Sequence, residues 1–79
     1  METEMIDLLY VLAGNYEQAR TFAYSKGVHY TKMINVDRRE KILGLRGKKL
    51  FVVGTAYDRD NYDELLTEAR VREFDIQHV

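Results

Sequence analysis

The chain predicts an α/β fold, a small three-layer sandwich around a mostly parallel sheet of four strands. Three observations predict it. Leu8–Ala13 and Leu50–Val53 are short runs uninterrupted by charge, as expected of strands covered on both faces. Gly14 and Gly54 follow them and turn the chain. Between and after these runs, apolar residues recur three and four positions apart, the spacing of a helix packed on one side.

In chain order, Met1–Met5 is a short lead-in and Ile6–Ala13 the first strand. Asn15 is a good N-cap, and Gln18 stands three positions later, the capping-box spacing. The helix it opens runs to about Ser25, with Tyr16, Ala19, Phe22 and Ala23 on its inner side. Lys26-Gly27 then supplies a cation for the last turn and a glycine for the position just beyond it. Val28–Val36 alternates, with Val28, Tyr30, Ile34 and Val36 set against His29, Thr31, Met33 and Asn35, and reads as a half-buried edge strand. Asp37 with Glu40 forms a second capping-box pair, predicting a short helix through Ile42 and Leu43 that ends near Gly44 or Gly47.

Lys48–Thr55 is the third strand and the most apolar one. Asp58, Asp60 and Asn61 offer three caps for a helix whose inner residues are Tyr62, Leu65, Leu66 and Ala69. Glu73–Val79 alternates again, Phe74 and Ile76 against Asp75 and Gln77, and predicts a last short edge strand. The succession β-α-β-α-β-α-β with right-handed crossovers, and apolar density greatest in the first and third strands, predicts the order 2-1-3-4 of flavodoxin-like and Rossmann-like sheets.

Seventy-nine residues make one domain, 1–79. At this size the core supplies roughly 3–5 kcal/mol of net stability, and with no cysteine there is no disulfide to add to it. Association with another protein or with a second copy is the expected supplement. Twelve Lys and Arg against thirteen Asp and Glu give a net charge of −1, without the basic excess of a nucleic-acid binder. The longest apolar run falls well short of the roughly 20 residues of a membrane helix. The acidic lead-in differs from the basic start of a signal peptide. These features predict a cytoplasmic chain with no membrane partner.

Chemistry in such a sheet gathers at the carboxyl ends of the strands. There the first junction places Gly14, Asn15 and Tyr16, the second Asp37, Arg38 and Arg39, and the third Gly54, Thr55, Tyr57 and Arg59. Helix N-termini with neighbouring arginines and tyrosines hold phosphates or stack bases. Asn15, Tyr16, Asp37, Arg38, Arg39, Thr55, Tyr57 and Arg59 are therefore the candidate ligand-binding residues. The competing view is that the Asn and Asp residues only cap helices and the arginines are solvated. Asp37 follows Gly14 by about 20 residues, the spacing of a ribose-binding acid. The three-glycine fingerprint that should accompany it is missing, since only Gly14 is present.

No G-K-S or G-K-T occurs, and the third strand ends Val53-Gly54-Thr55 without a metal-binding acid. Ser25 lies at no sharp elbow, His29 and His78 have no evident partnership, and two His residues cannot build a zinc site alone. The expectation is a non-enzymatic chain with no catalytic residue, no metal site and no cofactor. Six tyrosines are many for 79 residues, and Tyr24, Tyr30, Tyr57 and Tyr62 cannot all be core. Tyr and Arg are the residue types that anchor protein interfaces. The favoured function is a protein-interaction module that forms a homodimer; the alternative is a domain holding a nucleotide or other phosphate ligand at the carboxyl edge.

Two stretches carry a resemblance. Leu12-Ala13-Gly14-Asn15-Tyr16-Glu17-Gln18-Ala19-Arg20 resembles the strand–helix segment after the phosphate loop of P-loop motor ATPases such as phage terminases and helicases. Ile42-Leu43-Gly44-Leu45-Arg46-Gly47, followed by Leu50–Val53, resembles their L-R-G turn leading into the strand that bears the metal acids. The phosphate loop is missing here, and Gly54-Thr55 stands in place of the acidic pair. The resemblance implies a small Rossmann-like protein of a kind common among short phage-encoded proteins, in an accessory role and without ATPase machinery. It carries no functional residue over.

Overall fold

The computed structural model describes residues 8–79. Its sheet has four parallel strands, β1 (Leu9–Leu12), β2 (Met33–Asn35), β3 (Lys49–Val52) and β4 (Asp75–His78), in the order β2-β1-β3-β4. Two helices, α1 (Tyr16–Ser25) and α2 (Tyr62–Val71), lie on opposite faces. The predicted fold class and strand order are both present.

Alternation along the central strands divides the core in two. Tyr10 and Leu12 of β1 and Leu50 and Val52 of β3 point to the α2 side, where they meet Val36, Ile42, Leu65, Leu66, Ala69 and Phe74. Val11, Ala13 and Val53 point to the α1 side and meet Ala19, Ala23 and Met33. Both faces of β1 and β3 are apolar because both have cover, the condition that parallel sheets impose.

Helix α1 begins and ends as its sequence dictates. Gln18 N–H donates to Asn15 Oδ1 at 2.9 Å. At the other end Gly27 N–H donates to the Tyr24 carbonyl and Val28 N–H to the Ala23 carbonyl, both at 2.9 Å. That is a Schellman motif, with Gly27 at φ 74°. Helix α2 ends the same way, through Glu73 to Arg70 and Phe74 to Ala69, both at 2.9 Å. Here, however, Glu73 occupies the left-handed position, at φ 62°.

Several expectations need correction. The helix predicted through Ile42 and Leu43 is a single 3-10 turn, Arg39–Lys41. Gly44 and Gly47 both take positive φ within the next few residues, so the backbone turns before a helix can propagate. Ile42 is still fully buried in the α2-side core, and Leu45 packs against that core beside it. Asp37 does not cap this turn; Arg38 holds the cap position and makes no side-chain cap bond. The predicted strand Val28–Val36 contracts to Met33–Asn35, because a 3-10 turn, Tyr30–Lys32, precedes it. His29 starts that turn, its Nδ1 accepting from Thr31 N–H at 3.3 Å. The turn also breaks the predicted alternation: Val28 packs with Met33 on the α1 side, while Ile34 and Val36 face α2.

Tyr16, expected inward, is 48% exposed. Asn61 takes the N-cap position of α2 without a side-chain cap bond, and Asp58 lies within a separate 3-10 turn, Ala56–Asp58. The part of the predicted first strand at Ile6 and Asp7 lies outside the described residues.

Candidate functional site

The topology directs attention to the carboxyl edge between β1 and β3. The chain leaves β1 toward one side of the sheet and β3 toward the other, so their loops diverge and leave a crevice. Gly14 and Gly54 line it, and their lack of a side chain is required. A Cβ on Gly14 would sit 2.0 Å from Thr55 Oγ1, and one on Gly54 would sit 2.3 Å from Gln18 Oε1.

Gln18 fills the crevice. Its Oε1 accepts from Gly14 N–H at 2.9 Å, from Thr55 N–H at 3.1 Å and from the Thr55 hydroxyl at 3.3 Å. Its Nε2 lies 3.1 Å from Thr55 Oγ1 and can donate to it instead. This is a variant of the capping box, because the Gln18 side chain reaches back one residue further than Asn15 and also across to the β3 loop. The expected anion hole between the two loops thus already holds an oxygen, supplied by the chain itself.

Arg59 performs a related task between β1 and β2. Nη1 donates to the carbonyls of Ala13 at 3.0 Å and Gly14 at 3.2 Å, Nη2 to that of Asp37 at 3.3 Å, and Nε to Asn61 Oδ1 at 3.3 Å. Asn61 Nδ2 adds a 2.9 Å bond to the same Asp37 carbonyl. The planar fork reaches carbonyls from separate strand ends that a lysine would reach one at a time. It also explains why Asn61 is not a side-chain cap.

The remaining candidates divide into two groups. Asp37 stays at the edge, with Oδ1 3.3 Å from Lys41 Nζ in an i,i+4 pair. That Oδ1 is buried and lies off the axis of a hydrogen bond with the ammonium, whose nearer acceptor is the Asn35 carbonyl at 3.1 Å. Tyr16, Arg38, Arg39 and Tyr57 instead point into solvent, Tyr57 being 66% exposed. Arg39 lies 3.9 Å from Glu64 on α2 in an exposed pair. The structure therefore brings Asn15, Asp37, Thr55 and Arg59 together at the edge. Among the described residues, no hydrogen bond or ion pair joins them to Tyr16, Arg38, Arg39 or Tyr57.

Two hollows flank the Gln18–Thr55 clasp. One, of about 530 Å³, is lined by Asn15, Glu17, Gln18, Thr21, Phe22, Val53 and Gly54. The other, of about 500 Å³, is lined by Gly14, Asp58, Arg59, Asp60 and Asn61. Three carboxylates and one engaged guanidinium give them little net attraction for an anion. Among the described residues, no three His, Asp or Glu side chains converge as metal ligands. Asp75 and His78 leave β4 on opposite faces, since they pair with Lys49 and Val52 of β3. The hydroxyl of Ser25 donates to the Phe22 carbonyl at 2.6 Å, and His29 Nδ1 lies 2.9 Å from Thr31 Oγ1 within its own turn.

Exposed aromatic rings lie on the surface away from the crevice. Tyr16, Arg20 and Tyr24 form an exposed stripe along α1 at four-residue spacing, with the Arg20 guanidinium 5.4 Å from the Tyr24 ring centroid. Hydrogen bonding to Tyr24, followed by its coulombic influence, pushes the Arg20 pKa above its ordinary value, so this residue is a fixed cation. His29 and Tyr30 stack beyond the helix at 4.5 Å. Sequence reasoning missed Gln18 and Asn61 as edge residues. Only the capping-box spacing of Gln18 hinted at its part, and nothing local connected it to Thr55. No helix among the described residues is long and apolar enough to cross a membrane. Comparison with protein-family models, with curated proteins and with solved structures finds no match to this chain.

Proposed function

We infer that this chain is a small non-enzymatic protein-interaction module that associates with its own copies, working in the cytoplasm in the accessory role that the phage-like resemblance implies. One observation carries this reading, the exposed Tyr16–Arg20–Tyr24 stripe on α1. Tyrosine and arginine anchor interfaces because each brings a large, stiff surface and a polar group that survives desolvation. The use of Asn15, Thr55 and Arg59 in internal bonds supports it further, since it leaves the carboxyl edge short of free cations. The test combines light scattering with affinity capture by the tagged chain, each repeated for the Tyr16→Ser/Tyr24→Ser variant. The expected result is a mass above the 9.3 kDa monomer, or a captured protein, that the variant loses. A monomer whose captured set is unchanged by the variant would overturn the reading.

A second reading is a nucleotide or phosphate ligand at the carboxyl edge. Its support is the convergence of Gly14 N–H, Thr55 N–H and the Thr55 hydroxyl on one oxygen, a position a ligand oxygen would take if Gln18 swung away. A thermal-shift screen with nucleotides and inorganic phosphate tests it. A ligand at 100 times its dissociation constant should add about 2.7 kcal/mol, and a flat screen would end this reading.

A further inference from the structure

The two edges of the sheet end differently. On β2 the outward-facing backbone groups are already taken. Val36 N–H donates inward to the Val11 carbonyl at 2.8 Å, so by alternation Met33 and Asn35 face out. Met33 N–H donates to the Tyr30 carbonyl. The Asn35 carbonyl accepts from Asp37 N–H at 2.9 Å and from Lys41 Nζ at 3.1 Å. The chain closes this edge itself, which blocks pairing with another strand.

The β4 edge has no such closure among the described residues. Asp75 N–H donates to the Lys48 carbonyl at 2.8 Å and Val79 N–H to the Val52 carbonyl at 2.9 Å. By the same alternation Ile76 and His78 turn their N–H and carbonyl groups away from β3. The strand contains no proline, lysine or bulge to guard it. Above it lies α2. Glu64 is 3.9 Å from Arg39, and Arg72 Nη1 donates to the Leu45 carbonyl at 3.4 Å, so that side of α2 faces the β2–β3 connection. Asp63 and Arg70, two turns apart, occupy the opposite side, toward the β4 edge. Both are exposed, and neither joins an ion pair among the described residues.

We propose that β4 pairs antiparallel with β4 of a second copy, about a two-fold axis perpendicular to the sheet at Gln77. This axis sets Ile76 of each copy opposite His78 of the other, so the outward N–H groups of one strand meet the outward carbonyls of its mate. On the α1 face Asp75 falls opposite Val79 and Gln77 opposite its own copy, so no like charges meet. The two α2 helices then lie antiparallel on the other face, and Asp63 of each is brought toward Arg70 of the other. That charge pattern is complementary to itself, which selects a second copy in this orientation over an arbitrary strand. The contact is reciprocal and closes. It goes beyond the stripe reading above, because the stripe lies on the other face of the sheet. A chain using both contacts forms species larger than a dimer, and loss of the stripe leaves the edge dimer.

The test is oxidative cross-linking of Gln77→Cys. The axis sets this position against its own copy as a non-hydrogen-bonded pair, with Cα atoms about 4.5 Å apart, within the range of a disulfide. Val71→Cys, exposed on the outer side of α2, is the control, and circular dichroism confirms the fold of each variant. The expected result is a disulfide dimer that forms well ahead of any from Val71→Cys. Adding Asp63→Arg or Arg70→Asp should slow it about fivefold, since two exposed pairs are lost in each dimer. Adding both changes should restore the rate, and adding Tyr16→Ser/Tyr24→Ser should leave it unchanged. A Gln77→Cys chain that cross-links no faster than the control, or at a rate neither single charge change alters, would overturn the edge pairing and leave the stripe reading to its own test. Loss of the cross-link in the Tyr16→Ser/Tyr24→Ser background would also overturn it, by showing that the stripe holds the copies together.

Discussion

The C-terminal end of α2 offers a sharp test of how local backbone geometry sets stability here. Glu73 sits at φ 62° in the left-handed position of a Schellman motif that α1 fills with Gly27 at φ 74°. An L-residue with a Cβ costs about 1–2 kcal/mol there. Glycine relieves that cost but loses roughly 0.5–1 kcal/mol through its more flexible unfolded chain. Glu73 also pairs with Arg46 at 3.3 Å, but the side chains are 71% and 64% exposed. Such a pair contributes at most a few tenths of a kcal/mol. Comparing Glu73→Gly with Glu73→Ala removes the carboxylate from both variants and isolates the backbone. Glycine should be more stable than alanine by about 0.5–1 kcal/mol, or roughly 2–8 °C in Tm for a domain of this size. Thermal melts by circular dichroism measure it. An alanine variant as stable as the glycine variant, or more stable, would refute the reasoning.

The carboxyl edge gives three further expectations, each measured by urea unfolding. Gln18→Ala strips the acceptor shared by Gly14 and Thr55 and should cost about 1–2 kcal/mol, whereas Gln18→Glu keeps an acceptor and should cost less. Arg59→Lys should cost about 1.5–3 kcal/mol, because an ammonium cannot span the Ala13, Gly14 and Asp37 carbonyls together; a neutral result would show that those bonds are replaced by water without loss. Gly14→Ala drives a Cβ into Thr55 Oγ1 and should cost about 1–3 kcal/mol. Adding Thr55→Ala should recover part of that loss, and strictly additive effects would mean that the two residues do not collide.

The fold was legible where periodicity and local chemistry agreed. The continuous apolar run of β1 implied cover on both faces, and the structure divides that run between two cores. Asn15 and Gly27 marked both ends of α1 because capping is a contact within a few residues. Sequence reasoning failed where the deciding contact was distant or where two local signals conflicted. The Asp37–Glu40 spacing read as a helix start, yet Gly44 and Gly47 leave room only for one turn. Tyr16 fell on the apolar side by angle, but its place at the first position of the helix leaves it beyond the sheet and half exposed.

The candidate site was legible as a location more than as a set of roles. Asn15, Asp37, Thr55 and Arg59 do meet at the carboxyl edge, as strand order requires. Their partners across 22 to 46 residues, through Arg59 and Gln18, follow from tertiary geometry alone. Arg38 and Arg39, chosen by position, point to solvent because the segment they open is a brief turn and not a helix aimed at the crevice.

The measurement that bears most directly on self-association through the α1 stripe is site-specific cross-linking, which the absence of native cysteine makes clean. Thr21→Cys, at an exposed position of α1 beside the stripe, and Val71→Cys, at an exposed position of α2 on the other face of the sheet, would each be treated with a short bis-maleimide. A covalent dimer should form with Thr21→Cys and not with Val71→Cys. A Thr21→Cys chain that stays monomeric, or that cross-links no better than Val71→Cys, would contradict it.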